Sequence, residues 1–303
     1  MKKLLSTKQV AQLLGVNEKM VYTLITDKGL PATKITGKWV FPEYLVEQWV
    51  ESKTINYPVQ REPLLQQPNL LVLAGSNDIL LDRALALFMR TYPEQVAVFG
   101  NLGSLGGLNA LRRGLCQVAT SHLPEEDKDE FNFSYAAGEL DSLPAVVNFS
   151  RREQGFLLAP GNPLGISSLR EISEKNLRVV NRPLGTSTRL VFDRELVRAG
   201  IEHDQVPGYE REVQRHMDVG LEILGGRADI GPAIRPVAAL LGLDFLPLHW
   251  ERFDLIIPKD SFFLKGVQLF LDILRHEDFQ ALARELPGYD LSLSGRMMYP
   301  KNT

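Results

Sequence analysis

The chain has 303 residues, 44% of them apolar, with a formal net charge of -3 and one cysteine. That length predicts about two domains with real cores, and a lone Cys116 excludes an internal disulfide and a cysteine-rich metal cluster. The start Met1-Lys2-Lys3-Leu4-Leu5 imitates a signal peptide, but Ser6-Thr7-Lys8-Gln9 interrupts it, and no run approaches the ~18 apolar residues of a membrane span, so a cytoplasmic protein is expected.

The charge is unevenly distributed. Residues 1–42 hold seven lysines against Glu18 and Asp27, a balance of +5, which leaves -8 for residues 43–303. A basic head on an acidic body points to a polyanion-binding module joined to something else.

In chain order, Ser6-x-x-Gln9 is a capping-box pattern opening a helix with Val10, Leu13 and Leu14 at helical spacing, closed by Gly15. Asn17 can cap a second helix whose Val21, Leu24 and Ile25 face inward, while Lys19, Tyr22 and Thr23 face outward until Gly29-Leu30-Pro31 ends it. Two short helices around a glycine turn form a helix-turn-helix pattern. Thr33-Lys34-Ile35 and Lys38-Trp39-Val40-Phe41 then flank Thr36-Gly37 as a small hairpin, and Pro42 to Trp49 supplies a supporting helix.

This order of helix, Gly-Val turn, Val-Tyr helix, Gly-Leu-Pro, wing and helix over residues 3–50 resembles the excisionase-type, MerR-like winged helix-turn-helix domains. The resemblance implies that Asn17, Lys19, Tyr22 and Thr23 meet the DNA major groove and that Lys34, Thr36 and Lys38 meet the flanking backbone. The winged helix-turn-helix is assigned to residues 1–51 and a proline-bearing linker to 52–69.

From residue 70 strands and helices alternate. Leu70–Ala74, Gln95–Phe99, Gln117–Thr120, Phe156–Leu158, Leu177–Asn181, Ala228–Gly231 and Asp244–Ile257 read as strands, which predicts parallel sheets covered by helices on both faces. Ligands of such sheets sit beyond the carboxyl ends of the strands. Those ends carry Gly75-Ser76-Asn77-Asp78, Gly103-Ser104, Thr120-Ser121-His122 and Gly185-Thr186-Ser187-Thr188-Arg189. Small hydroxyl residues at helix starts suit an anion, although they also serve as ordinary caps.

The body is similar to the type II periplasmic binding protein fold, in its molybdate/tungstate-binding-like cytoplasmic regulator version, through "GSNDILLD" (75–82), "GSLGGLNALRRGLCQVATSHL" (103–123), "VVNRPLGTSTRLVFDREL" (179–196) and "GGRADIGPAI" (225–234). The expected fold is an N-terminal winged helix-turn-helix, mostly α with a small β hairpin, plus an α/β two-lobed domain over 70–303. Lobe 1 is expected at 70–148 and 249–303 and lobe 2 at 149–248. The resemblance implies ligand contacts from Ser76, Asn77, Ser104 and Ser121 on one lobe and Thr186, Ser187, Thr188 and Arg189 on the other. Arg189 either reaches the ligand or pairs with Asp193 at i+4.

The five histidines show no metal-ligand spacing and are expected to be ordinary surface or core residues. No nucleophile elbow or nucleotide loop is present, and Glu125 to Glu130 reads as a solvated acidic loop. No enzyme, cofactor or protein-bound metal is expected. The leading expectation is a DNA-binding regulator, a homodimer or higher homo-oligomer so as to read two half-sites, whose body senses molybdate, tungstate or another tetrahedral oxyanion. The alternatives are a small organic anion such as a carboxylate or sulfonate, or an enzyme on the same fold.

Overall fold

The computed structural model describes residues 3–54, 67–125, 130–140 and 142–300. The chain divides into two units, Met1–Glu62 and Pro63–Thr303. Most of the expected linker, residues 55–66, and the middle of the acidic stretch, 126–129, lie outside the described residues.

The first unit is built as β1 (Leu4–Ser6), α1 (Thr7–Leu14), α2 (Glu18–Lys28), β2 (Thr33–Ile35), β3 (Lys38–Pro42) and α3 (Glu43–Lys53). Ser6 and Gln9 form the capping box of α1, Asn17 caps α2 at the Met20 N–H (2.9 Å), and Gly15 and Gly29 end the two helices in the left-handed region. Thr36 and Gly37 both take positive φ, the two-residue turn that suits the twist of a hairpin. The hairpin strand β3 also pairs with β1, an edge that the sequence pattern did not reveal, because three residues are too short to show alternation. Val10, Val21, Phe41 and Val46 are fully buried, whereas Leu13 is 54% exposed and Ala11 takes its place in the core.

The second unit holds β4 (Leu70–Gly75), α4 (Ile79–Thr91), β5 (Val96–Asn101), α5 (Gly103–Arg112), β6 (Val118–Ser121), α6 (Phe133–Glu139), β7 (Ala145–Leu158), α7 (Glu171–Glu174), α8 (Ser187–Ala199), α9 (His216–Leu224), β8 (Ile230–Ile234), α10 (Arg235–Leu241), β9 (Asp244–Ile257), α11 (Lys259–Phe262), α12 (Lys265–Ile273), α13 (Glu277–Arg284), β10 (Tyr289–Asp290) and β11 (Met297–Met298). The expected parallel arrangement is corrected to a mixed eight-stranded sheet: β4 runs parallel to β5 and β6, but β9 joins β6 antiparallel, β7 joins β9 antiparallel, and β8, β10 and β11 join β7 antiparallel. Residues 177–181 make only isolated bridges, from Val179 to Ile230 and from Asn181 to Glu212.

Strands β7 and β9 are each 14 residues long, about 46 Å at ~3.3 Å per residue, enough to pass from one lobe into the other. Their composition shows where the crossing lies. In β7, Val146, Val147 and Phe149 sit in lobe 1 cores and Phe156 to Leu158 in lobe 2 cores, and between them runs Ser150-Arg151-Arg152-Glu153-Gln154. Alternate residues serve opposite faces, so Leu73, Val147 and Leu255 enter one lobe 1 cluster and Ala74, Val146 and Ile256 the other. The polar interruption of an otherwise apolar strand positions the candidate site.

Candidate functional site

At the junction of the lobes the first turns of α5 and α8 meet. Ser187 Oγ donates to Ser104 Oγ at 2.8 Å, and a Cβ placed on Gly103 would come 3.2 Å from Thr186 Cγ2. A second link joins the lobes where Gln214 O accepts from Asn101 Nδ2 (3.1 Å) and from Arg182 Nη2 (3.0 Å). Two positive helix ends facing each other repel, and negative charge placed near them relieves that repulsion.

Buried beside this contact is a set of polar side chains from both lobes. Ser76, Ser104, Ser121, Ser187 and Thr188 are each no more than 4% exposed. Ser121 Oγ and Thr188 Oγ1 have no protein hydrogen-bond partner. The other expected contacts are engaged locally. Asn77 Nδ2 donates to Asp82 Oδ2 (3.3 Å), and Thr186 caps α8 by accepting from the Arg189 N–H (3.3 Å) while donating to Pro183 O (2.8 Å). Arg189 lies within its own lobe: Nε meets Asp193 (2.9 Å), Nη1 meets Glu212 (3.2 Å) and Arg182 O (3.1 Å), and its guanidinium sits 4.1 Å from the centre of the Tyr209 ring.

Among the described residues Arg182 has two buried guanidinium nitrogens to spare, while Arg152 Nη2 and Arg194 Nε are each also without a protein partner. Arg182 is 2% exposed, and its Nε and Nη1 are the two without a protein partner. Burial, together with repulsion from Arg152, pushes its pKa down to about 10. His216, the first residue of α9, is 1% exposed with neither ring nitrogen partnered; burial and then Arg182, Arg152 and His122 hold it well below the usual histidine range. Gln154, on the same strand face as Arg152, also has an unpartnered buried amide.

Beneath these groups Arg152 is clamped by two carboxylates. Its Nη1 donates to Asp78 Oδ2 (2.8 Å), which also accepts from Tyr289 (2.9 Å), and its Nε donates to Glu251 Oε1 (2.7 Å). Glu251 Oε2 lies 3.0 Å from His122 Nδ1, and His122 Nε2 lies 3.0 Å from Ser76 Oγ. Burial alone would push the Glu251 carboxyl up, but His122 and Arg152 hold it at about 2. Burial, with repulsion from Arg152 and Arg182, outweighs the pull of Glu251 and lowers His122.

Two of the five histidines, His122 and His216, sit in this cluster, buried as the expectation of surface or core residues allowed but with surroundings the sequence did not reveal. Arg152, Arg182, Glu251 and Gln154 were also missed. The available signal was charge inside the long strand runs of β7 and β9, where an unpaired ion would be costly. Among the described residues no group of three or more His, Cys, Asp or Glu could hold a metal ion, and no helix is long and apolar enough to cross a membrane. Cys116 is buried, which pushes its thiol up to about 12.

In the first unit Lys19, Tyr22 and Thr23 are exposed on α2, and Lys34, Thr36 and Lys38 are exposed on the hairpin. The Asn17 carbonyl is occupied as a cap. Lys34 Nζ lies 5.7 Å from the centre of the Trp39 ring, and Thr36 Oγ1 donates to Ile35 O (2.8 Å).

A mixed sheet crossed by two long strands, with a polar cluster between its lobes, is the architecture of a binding protein, and the chain belongs to the family described as the PBP superfamily domain, whose model matches residues 85–275. A model described as a helix-turn-helix domain matches residues 4–54, which implies DNA as a partner of the first unit, while the PBP superfamily match implies a small molecule as the ligand of the second. The chain is similar to the uncharacterized protein YvgK of Bacillus subtilis (strain 168), 26% identical over 301 residues and covering 96% of each chain. Solved structures with the same fold include a putative phosphate ABC transporter substrate-binding protein with bound phosphate from Clostridium perfringens (TM-score 0.52, 12% identity, 77% of this chain and 100% of that one). Another is the tungstate ABC transporter protein from Geobacter sulfurreducens (TM-score 0.51, 13% identity, 71% and 98%).

Proposed function

We propose that the protein is a ligand-responsive transcription regulator whose winged head binds DNA and whose two-lobed body closes on a small oxyanion. The observation that carries this reading is the buried Arg182, two of whose guanidinium nitrogens have no protein partner, together with the unpartnered buried hydroxyls of Ser121 and Thr188 and the meeting helix ends of α5 and α8. A tetrahedral oxyanion offers acceptors on every side, and guanidinium N–H groups, hydroxyls and helix-end N–H groups are the donors that match it. Phosphate, sulfate, molybdate and tungstate belong to this class, and the phosphate and tungstate named for the two structural neighbours fall within it.

Closure of the cleft would be transmitted to the head, and pairing of two chains would let two α2 helices read successive half-sites. To swing such an equilibrium from 1:99 to 99:1 the anion must favour one state by about 5.5 kcal/mol. A thermal-shift screen of the full chain checks the ligand class. An oxyanion should raise the melting temperature in a concentration-dependent way; a response to small carboxylates or sulfonates alone would replace the oxyanion with an organic anion.

One observation favours a second reading. Ser76, His122 and Glu251 stand in the hydroxyl–imidazole–carboxylate order of a nucleophile and its base. We propose binding without turnover, since an acyl-transfer site also needs donors aimed at the developing oxyanion, and the donors here suit a whole anion. Acylation of Ser76 by an activated ester, read by mass spectrometry, would overturn that choice.

A further inference from the structure

The chain Glu251–His122–Ser76 has a chemical direction. Glu251 accepts at both oxygens, from Arg152 Nε at 2.7 Å and from His122 Nδ1 at 3.0 Å. An ionised carboxylate has no proton to give, so Nδ1 carries the ring proton. With the ring neutral, Nε2 is an acceptor, and the donor before it at 3.0 Å is the Ser76 hydroxyl. Ser76 then turns lone pairs, not its proton, away from the ring. A fully deprotonated oxyanion meets those lone pairs with its own, whereas an oxyanion bearing an O–H donates to them. When the ring is protonated, Nε2–H donates to Ser76 Oγ and the serine hydroxyl is released to serve an acceptor.

From these contacts we propose that the cleft takes its anion together with one proton: the ligand supplies it where it carries an acidic hydroxyl, as hydrogen phosphate does, and His122 takes it up where the ligand has none, as with sulfate, molybdate or tungstate. This rests on the anion-binding reading above.

The charges around His122 support the coupling. Glu251 on β9 and Arg152 on β7 form one side, with Asp78 beyond Arg152 and His249 4.0 Å from Glu251. Arg182 and His216 approach from lobe 2. Arg152 is balanced by its two carboxylates; on Arg182 the pull of Asp218 is outweighed by burial and by Arg152, so its positive charge is in surplus. A dianion reverses that surplus and favours a proton on a buried ring. His216 is the competing acceptor, but it has no carboxylate to orient it and no serine to redirect.

The test is calorimetric titration of the full chain with sulfate and with phosphate from about pH 6 to pH 8.5. Sulfate affinity should fall about tenfold per pH unit on the alkaline side, the signature of one proton taken up, while phosphate affinity should be flat where hydrogen phosphate dominates. Repeating the titration in buffers of different ionisation enthalpy should count about one proton for sulfate and none for phosphate. His122→Asn should abolish the sulfate slope, His216→Asn should keep it, and Ser76→Ala should shrink the preference for phosphate at alkaline pH. A flat sulfate profile, or a slope unchanged in His122→Asn, overturns the proposal. If sulfate, phosphate, molybdate and tungstate all fail to bind at millimolar concentration, the anion-binding reading itself fails and this proposal fails with it.

Discussion

Ser187 and Ser104, 83 residues apart and on different lobes, share a hydrogen bond of 2.8 Å, and Ser104 also accepts from the backbone N–H of His122 at 3.3 Å. One hydroxyl thus ties the start of α8 to the start of α5 and to the end of β6. Closure of the lobes and the position of His122 are coupled through Ser104.

Removing either end of that link should loosen the closed form without unfolding it. A net hydrogen bond is worth about 1 kcal/mol, roughly a fivefold change in an equilibrium. Ser187→Ala and Ser104→Ala should each weaken oxyanion binding by about that factor in calorimetry, and the double variant should lose little more than either single one, since both remove the same bond.

Arg182 and Arg189 lie seven positions apart and should fail in different ways. Arg182→Ala should reduce oxyanion affinity about a hundredfold or more, because charge-assisted donors are lost, while leaving the melting temperature of the ligand-free protein unchanged or higher, since a buried cation repelled by Arg152 is gone. Arg189→Ala strands Asp193 and Glu212 and removes the contact with Tyr209, so its melting temperature should drop. Thermal melts with and without anion separate the two.

Acid should weaken the body in two stages. His216 is neutral in the fold and held well below its usual value of 6.5, so the unfolded chain binds more protons below that pH and stability falls as pH drops through it, by up to about 1.4 kcal/mol per pH unit. Glu251, held at about 2, contributes stability that is present above the unfolded value of ~4.3 and is lost as pH falls from there toward 2. Urea midpoints in chloride buffers should show the first stage, to which the likewise lowered His122 contributes, made shallower in His216→Asn and the second unaffected by it.

The head should obey the counterion rule. Lys19→Ala, Lys34→Ala and Lys38→Ala should each weaken DNA binding and lower the salt slope by about 1 where the lysine meets a phosphate. Tyr22→Ala and Thr23→Ala should change the preference among DNA sequences more than the slope. Fluorescence anisotropy at several salt concentrations reads both effects.

Much of this was legible in the sequence because local chemistry dictated it. Ser6 with Gln9, Asn17, Gly15, Gly29 and Thr36-Gly37 set the caps and turns of the head, and the serines after β4 and β5 and at the end of β6 mark strand ends. What was not legible depends on distant partners. The antiparallel course of β7 and β9 follows from pairing over a separation of about 100 positions, as between Arg152 and Glu251, which no local pattern encodes. His122 looked ordinary because its partners, Ser76 and Glu251, lie 46 and 129 positions away. Arg182 and Arg189 could be ranked only once the carboxylates around Arg189 were in place.

In the proposed complex an oxyanion sits between the lobes on Arg182. Anomalous diffraction at the tungsten edge from crystals of the full chain grown with tungstate near pH 6 locates the anion directly. A peak within hydrogen-bond reach of Arg182, Thr188 and Ser121 is the predicted result. A peak elsewhere on the molecule, or none in crystals of a protein that binds tungstate in solution, would contradict it.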